Sequence, residues 1–203
     1  MTSDPIRIAS SGSAAFDAVS ARVCALLRTR PRVILAIDGN CCAGKTTFAQ
    51  LLGERLGADV FHMDDFFLQP ERRTAERLGK PGGNVDAERF LDEVLAPISR
   101  GESVSYVRYD CKRDRLLAPV AIEPAPVCVV EGAYSLHPLL APYYDIKVFC
   151  RIDPSLQIER IRRRNGEAQL SIFQSRWIPL ENAYFDALKI KQSCDLIIDS
   201  VQQ

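Results

Sequence analysis

A chain of 203 residues that is 47% hydrophobic and 26% charged carries enough apolar mass for one compact domain with a sizeable core, which excludes disorder as the main state. Lysine plus arginine and aspartate plus glutamate number 26 each, so the formal charge is zero and no bulk positive field exists to hold a nucleic-acid backbone. The longest apolar runs, such as Val33 to Ile37 and Val127 to Val130, fall far short of the roughly 20 residues of a membrane span.

The stretch from Met1 to Gly12 is polar and carries Asp4, without the basic start or apolar run of a signal peptide, so a cytoplasmic location is expected. Seven cysteines include no spaced C-x-x-C pair and read as reduced thiols, mostly core filler. Residues 14 to 29 place Phe16, Val19, Val23, Leu26 and Leu27 near helical spacing, predicting an N-terminal helix over about 13–30 that Pro31 ends. Val33 to Ile37 is a continuous apolar run of the kind buried on both faces of a parallel sheet. A glycine-bounded loop follows, then a predicted helix from Lys45 to Leu56 and a short strand from Asp59 to Met63 that ends in Asp64-Asp65-Phe66-Phe67.

Residues 70 to 85, with Pro81-Gly82-Gly83, read as a mobile excursion, and Asp86 as the cap of a helix to about Leu95. Ser103 to Pro126 alternates in short pieces and predicts a hairpin beside the main sheet. Val127 to Val130 and Ile146 to Ile152 are further buried strands. Asp153-Pro154 caps a helix to about Asn165, Leu170 to Ile190 is largely helical with a break or bend expected at Pro179, and Leu196 to Ile198 closes the series. Apolar strands alternating with helices define an α/β sheet covered by helices on both faces.

The sharpest signal is Gly39-Asn40-Cys41-Cys42-Ala43-Gly44-Lys45-Thr46, which matches G-x-x-x-x-G-K-[ST] at every fixed position and sits between a predicted strand and a predicted helix. Those four positions coincide by chance in about one chain in a hundred of this length. Glycines let such a loop curl so that successive N–H groups, including those of residues 39 to 47 (Thr47 the last), face an anion at the positive end of the helix. Lys45 is placed to reach the β- and γ-phosphates of a bound nucleotide, and the Thr46 hydroxyl to ligate Mg²⁺. For Cys41 and Cys42 the backbone amides matter most, though a helix start is a setting that can lower a thiol pKa.

Ligands of open α/β sheets bind beyond the carboxyl ends of the strands, where Asp64, Asp65 and Glu131 fall. One of these acids can take a hydroxyl proton while another holds the metal. Asp64 is assigned as base and as a further metal contact, Glu131 as the Mg²⁺ partner, and Asp65 as a substitute for either. Arg160, Arg163 and Arg164, at i, i+3 and i+4 of one helix, form a face able to close over transferred phosphate, with Arg162 pointing elsewhere. A solvated basic face is the plain alternative, as core or surface roles are for His62, His137 and Trp177.

The loop, His62-Met63-Asp64-Asp65-Phe66-Phe67, Asn84-Val85-Asp86, Tyr109-Asp110 and Val130-Glu131-Gly132 occur in that order over roughly residues 33 to 165. This set resembles the uridine kinase-like family of small-molecule P-loop kinases, relatives of phosphoribulokinase and nicotinamide riboside kinase. The resemblance implies a P-loop NTPase three-layer sandwich with about five parallel strands. It also implies ATP or GTP as donor, Mg²⁺, and γ-phosphoryl transfer to a hydroxyl of a nucleoside-like small molecule. By the same resemblance Asp64 matches the catalytic base, Asp86 a carboxylate on ribose hydroxyls, Tyr109 a residue near the acceptor base, and the arginines 160, 163 and 164 a lid over about 158–170. Uridine kinases proper carry His-Ser-Arg soon after the Tyr-Asp pair, where this chain has Cys111-Lys112-Arg113-Asp114-Arg115, so the resemblance carries the reaction class further than the acceptor.

The whole chain, 1–203, reads as one kinase domain with a substrate-side excursion over about 66–126. Partners are expected to be a small-molecule acceptor and no nucleic acid or membrane, and self-association into a homo-oligomer is compatible with the sequence. Two other readings stay open: a kinase of a nucleoside monophosphate or other metabolite, or a regulatory NTPase without a metabolite acceptor. Against the latter, neither an Asn-Lys-x-Asp guanine-reading motif nor a Leu-Ser-Gly-Gly-Gln element is present.

Overall fold

A computed structural model describes residues 5–9, 12–111 and 113–200. Among the described residues, six strands form one parallel sheet: β1 (Ile6–Ala9), β2 (Val33–Gly39), β3 (Asp59–His62), β6 (Val127–Glu131), β7 (Ile146–Arg151) and β8 (Leu196–Asp199), in the order β1-β8-β7-β2-β6-β3. The remaining two, β4 (Val104–Asp110) and β5 (Arg115–Ile122), pair antiparallel as the expected hairpin. The sheet exceeds the expected five strands by β1. Its four residues give little sequence signal and sit at an edge, where Ile6 is exposed.

Alternation along the central strands explains why they read as unbroken apolar runs. On one face Val33, Leu35, Ile37, Val127 and Val129 pack with Val19 and Val23 of α1 (Gly12–Leu27), Phe48 and Leu52 of α2 (Lys45–Leu56) and Leu156 of α6 (Pro154–Asn165). On the other, Ile34, Ala36, Cys128 and Val130 meet Phe61, Phe66, Phe90, Tyr106, Tyr184 and Phe185. Both faces are therefore dry, giving three layers.

The helices begin and end for local reasons. Asp153 accepts N–H bonds from Ser155 and Leu156, and Pro154 fills a first-turn position that needs no donor. Asp86 caps α4 (Ala87–Phe90) by accepting the Arg89 N–H, and the helical path continues through a π turn, Leu91–Leu95, into α5 (Ala96–Arg100). At Pro179, where the sequence predicts a break or bend, the helical path runs on but its α geometry is interrupted just before the proline. After α7 (Glu167–Ile172) a π turn, Phe173–Trp177, widens the helix so that Ile178 N–H reaches Phe173 O. Pro179 then lies in the first turn of α8 (Ile178–Ala187), immediately after this π turn. The excursion expected to be mobile is also pinned. Its short helix α3 (Ala75–Leu78) is capped by Thr74, and Arg77 bonds Gly83 O, Val85 O and both carboxylate oxygens of Glu88. Among the described residues, no helix is long and apolar enough to cross a membrane.

Candidate active site

Parallel register brings the strand ends to one edge. Ile37 of β2 and His62 of β3 both pair with Glu131 of β6, and Gly39 pairs with Cys150 of β7. The chain then turns at Gly39, whose φ is +133°; a Cβ there would lie 2.0 Å from Cys150 O, so a side chain cannot be accommodated. From this point the loop runs into α2, and residues 41 to 47 line a cleft of about 2090 Å³, with Gly39 and Asn40 buried behind them.

Lys45 is 9% exposed and folds back over the loop, its ammonium donating to Gly39 O at 2.7 Å and Asn40 O at 2.9 Å. Thr46 Oγ1 lies 3.1 and 3.2 Å from the two carboxylate oxygens of buried Glu131. His62 Nδ1 is 2.6 Å from Glu131 Oε1, and this bond raises the imidazole pKa above its ordinary value against the opposing effect of burial. Asp64 stands beside them. It is exposed to the cleft, but protein crowds its carboxyl, and that loss of water raises its pKa; Lys45 opposes the rise and Glu131 adds to it. Gly132, at φ +132°, allows this approach, since a Cβ there would come within 3.1 Å of Met63 Cβ and 3.5 Å of Asp64 Oδ1.

Arg160, Arg163 and Arg164 all line the cleft from α6, and Arg160 donates to Cys42 O at 3.1 Å. Arg162 turns away to Glu167. Asp65, Asp86 and Tyr109 do not line the cleft. Asp65 is half-buried, its carboxyl pKa raised by burial. Asp86 is fully buried, with Oδ1 accepting the Arg89 N–H and Oδ2 bonded to Arg72. Tyr109 is buried, its hydroxyl accepting from Arg73 at 2.6 Å and donating to Asp114. The setting that can lower a thiol pKa has the opposite outcome here: burial, aided by Glu181 and Cys42, pushes the Cys41 thiol up to about 12, and burial also raises Cys42.

Three residues at the loop were not singled out from the sequence. Asp38, fully buried, accepts the N–H groups of Gly39, Tyr134 and Leu136 and the Tyr184 hydroxyl, tying the loop to the segment after β6 and to α8. Burial raises its pKa, against those bonds and Lys45. Glu181 of α8 accepts the Cys41 N–H at 3.0 Å, and Gln157 of α6 donates to Cys41 O at 3.1 Å. Asp38 had a signal, an acid ending an apolar strand; Glu181 and Gln157, 140 and 116 residues from their partner, had none. Trp177, given only a core or surface role, lines the cleft.

A parallel α/β sheet whose central strand feeds a glycine loop, with a lysine folded over it and a hydroxyl–carboxylate pair at the next strand end, is the construction of the P-loop kinases. No family model matches the chain. Uridine kinase of Chloroflexus aurantiacus is 32% identical over 142 residues, 64% of this chain and 67% of that one. The Chloroflexus aggregans uridine kinase is 30% identical over 149 residues, 69% of this chain and 71% of that one. A solved structure described as a possible uridine kinase from Bacillus stearothermophilus aligns with a TM-score of 0.61 at 22% identity, over 89% of this chain and 99% of that one. The chain belongs to the uridine kinase-like family of P-loop kinases, and it is a small-molecule kinase.

Proposed function

We propose that the protein transfers the γ-phosphoryl group of ATP or GTP, with Mg²⁺, to a hydroxyl of a small nucleoside-like acceptor. The observation that carries this reading is the meeting of Thr46, Glu131 and Asp64 at the mouth of the glycine loop. Loop amides and Lys45 would cradle the phosphates, and the Lys45 ammonium needs only to leave its loop carbonyls to do so.

Hard oxygen donors suit Mg²⁺, and Thr46 and Glu131 supply them in contact; among the described residues no group of three or more acids, histidines or cysteines forms a protein-only metal cage. Thr46 and Glu131, with Asp64 as a further contact, would therefore hold the ion together with the phosphates. The ion would offset charge on the phosphoryl oxygens. Asp64 would accept the proton of the attacking hydroxyl, for which a carboxyl raised above its ordinary pKa is a better base than a free aspartate. Arg160, Arg163 and Arg164 would close over the transferred group as a lid at about 158–170. A cleft of about 2090 Å³, against roughly 300–1,000 Å³ for a one-ligand pocket, suits two substrates.

One observation favours a second reading, a different metabolite as acceptor. Asp86 and Tyr109, which the resemblance assigns to a nucleoside, are occupied by Arg72, Arg89, Arg73 and Asp114. The deciding experiment measures ADP release from Mg·ATP across ribosides, nucleoside monophosphates, vitamins and sugar acids, with Lys45→Ala as control. Release stimulated by a riboside supports the first reading, and stimulation only by another alcohol the second. Acceptor-independent hydrolysis unaffected by every compound overturns both.

A further inference from the structure

The loop that would bind nucleotide is gripped by the protein's own acid. Glu181, 6% exposed on α8, accepts the Cys41 N–H at 3.0 Å, and Cys41 is the third residue of the Gly39 to Thr46 loop. Gln157 holds the same residue by its carbonyl and sulfur, both at 3.1 Å. Glu181 and Cys41 both line the cleft, as do Lys45 and Thr46 of the same loop. The charged and titratable groups around it are Lys45, Cys41 and Cys42 of the loop, Asp38 at the end of β2 and Tyr134 after β6.

An N–H has one proton to give. A carboxylate is a strong acceptor for it, and a phosphate oxygen is another of the same charge sign. In a partly dry cleft the two anions also repel over short distances with little screening. We propose that Glu181 competes with the nucleotide's phosphates for the Cys41 N–H, so that loading the donor requires its carboxylate to swing away. The inference rests on the reading of the loop as the nucleotide site and adds a determinant of its affinity.

Glutamate has rotatable side-chain bonds, and the cleft gives the released carboxylate access to water. Tyr184, three residues on and thus on the same face of α8, anchors the helix to Asp38 while the acid moves. Nucleotide affinity is therefore held below what the loop amides and Lys45 alone would give, and the carboxylate returns to the N–H when product leaves.

The test is equilibrium titration of the whole protein with Mg·ATP by calorimetry for wild type, Glu181→Gln and Glu181→Ala, with thermal unfolding of each. Glu181→Gln keeps the shape and a neutral acceptor; Glu181→Ala removes the acceptor altogether. Competition predicts that ATP binds at least threefold tighter to Glu181→Ala, with Glu181→Gln between it and wild type. A side chain that merely supports the loop would give the reverse, so unchanged or weaker binding in the folded variants overturns the proposal while leaving the nucleotide site in place. A wild-type protein that binds no ATP in the same titration would instead remove the reading of the loop, and this inference with it.

Discussion

Thr46 and Glu131, 85 residues apart in the chain, meet side chain to side chain at 3.1 and 3.2 Å, because parallel pairing of β2 with β6 ends both strands at one edge of the sheet. On the proposed reading, this hydroxyl and carboxylate would hold Mg²⁺ together with the nucleotide's phosphates and water. Replacing Thr46 by Val or Glu131 by Gln should raise the Mg²⁺ concentration for half-maximal activity by roughly tenfold to a hundredfold. The double variant should lose much less than the product of the two, since the residues act as a unit. Metal titrations of initial rate check this, and independent, multiplicative losses would count against a shared ion.

Asp64 provides a pH signature. Its carboxyl is raised by crowding in the cleft, and only the ionised form can accept a proton, so kcat/KM should fall as pH drops through that raised value. Asp64→Asn should lower kcat by roughly 10²- to 10⁴-fold and abolish this acid limb of the profile. Retention of the limb in the residual activity would assign the titration to another group.

His62 should titrate above 6.5, because its bond to Glu131 favours the imidazolium. The sign follows: the folded pKa is raised, so the stabilisation is fully present below the unfolded value of about 6.5 and is lost as pH rises through the folded one. Proton NMR of the imidazole resolves the midpoint, and Glu131→Gln should bring it down. A wild-type midpoint below 6.5 would contradict the contact.

These sites differ in how far the linear sequence exposed them. Continuous apolar runs marked β2, β6 and β7 because both faces of those strands are dry, and the glycine pattern marked the loop because its backbone demands recur at fixed spacing. Glu131 was reachable as an acid ending a buried strand, and Asp38 carries the same mark one strand earlier. Glu181 and Gln157 were not, since their positions on α8 and α6 acquire meaning only when those helices pack on the loop. Pro179 marked an irregularity in the helix but not its form, since a π turn is invisible to a 3.6-residue period. The polar stretch with Pro81-Gly82-Gly83 suggested motion because composition reports the absence of apolar anchors and says nothing of polar ones.

That stretch yields the last prediction. Arg77 closes it with a two-pronged pair to Glu88, at 2.6 and 2.7 Å, and with bonds to Gly83 O and Val85 O. The guanidinium holds the Glu88 carboxyl down to about 2, so the pair's contribution is present above the ordinary carboxylate value of 4.5 and is lost as pH falls through about 2. Both side chains are partly exposed, so removing the pair should cost only about 0.5–1 kcal/mol of global stability. Its local effect should be larger. Arg77 fixes two backbone carbonyls that a lysine cannot reach in the same fork geometry. Both Arg77→Ala and Arg77→Lys should therefore expose the segment from 70 to 85 to limited proteolysis at neutral pH, with little change in melting temperature. Equal protease resistance in wild type and both variants would show that the rest of the segment's packing suffices to hold it.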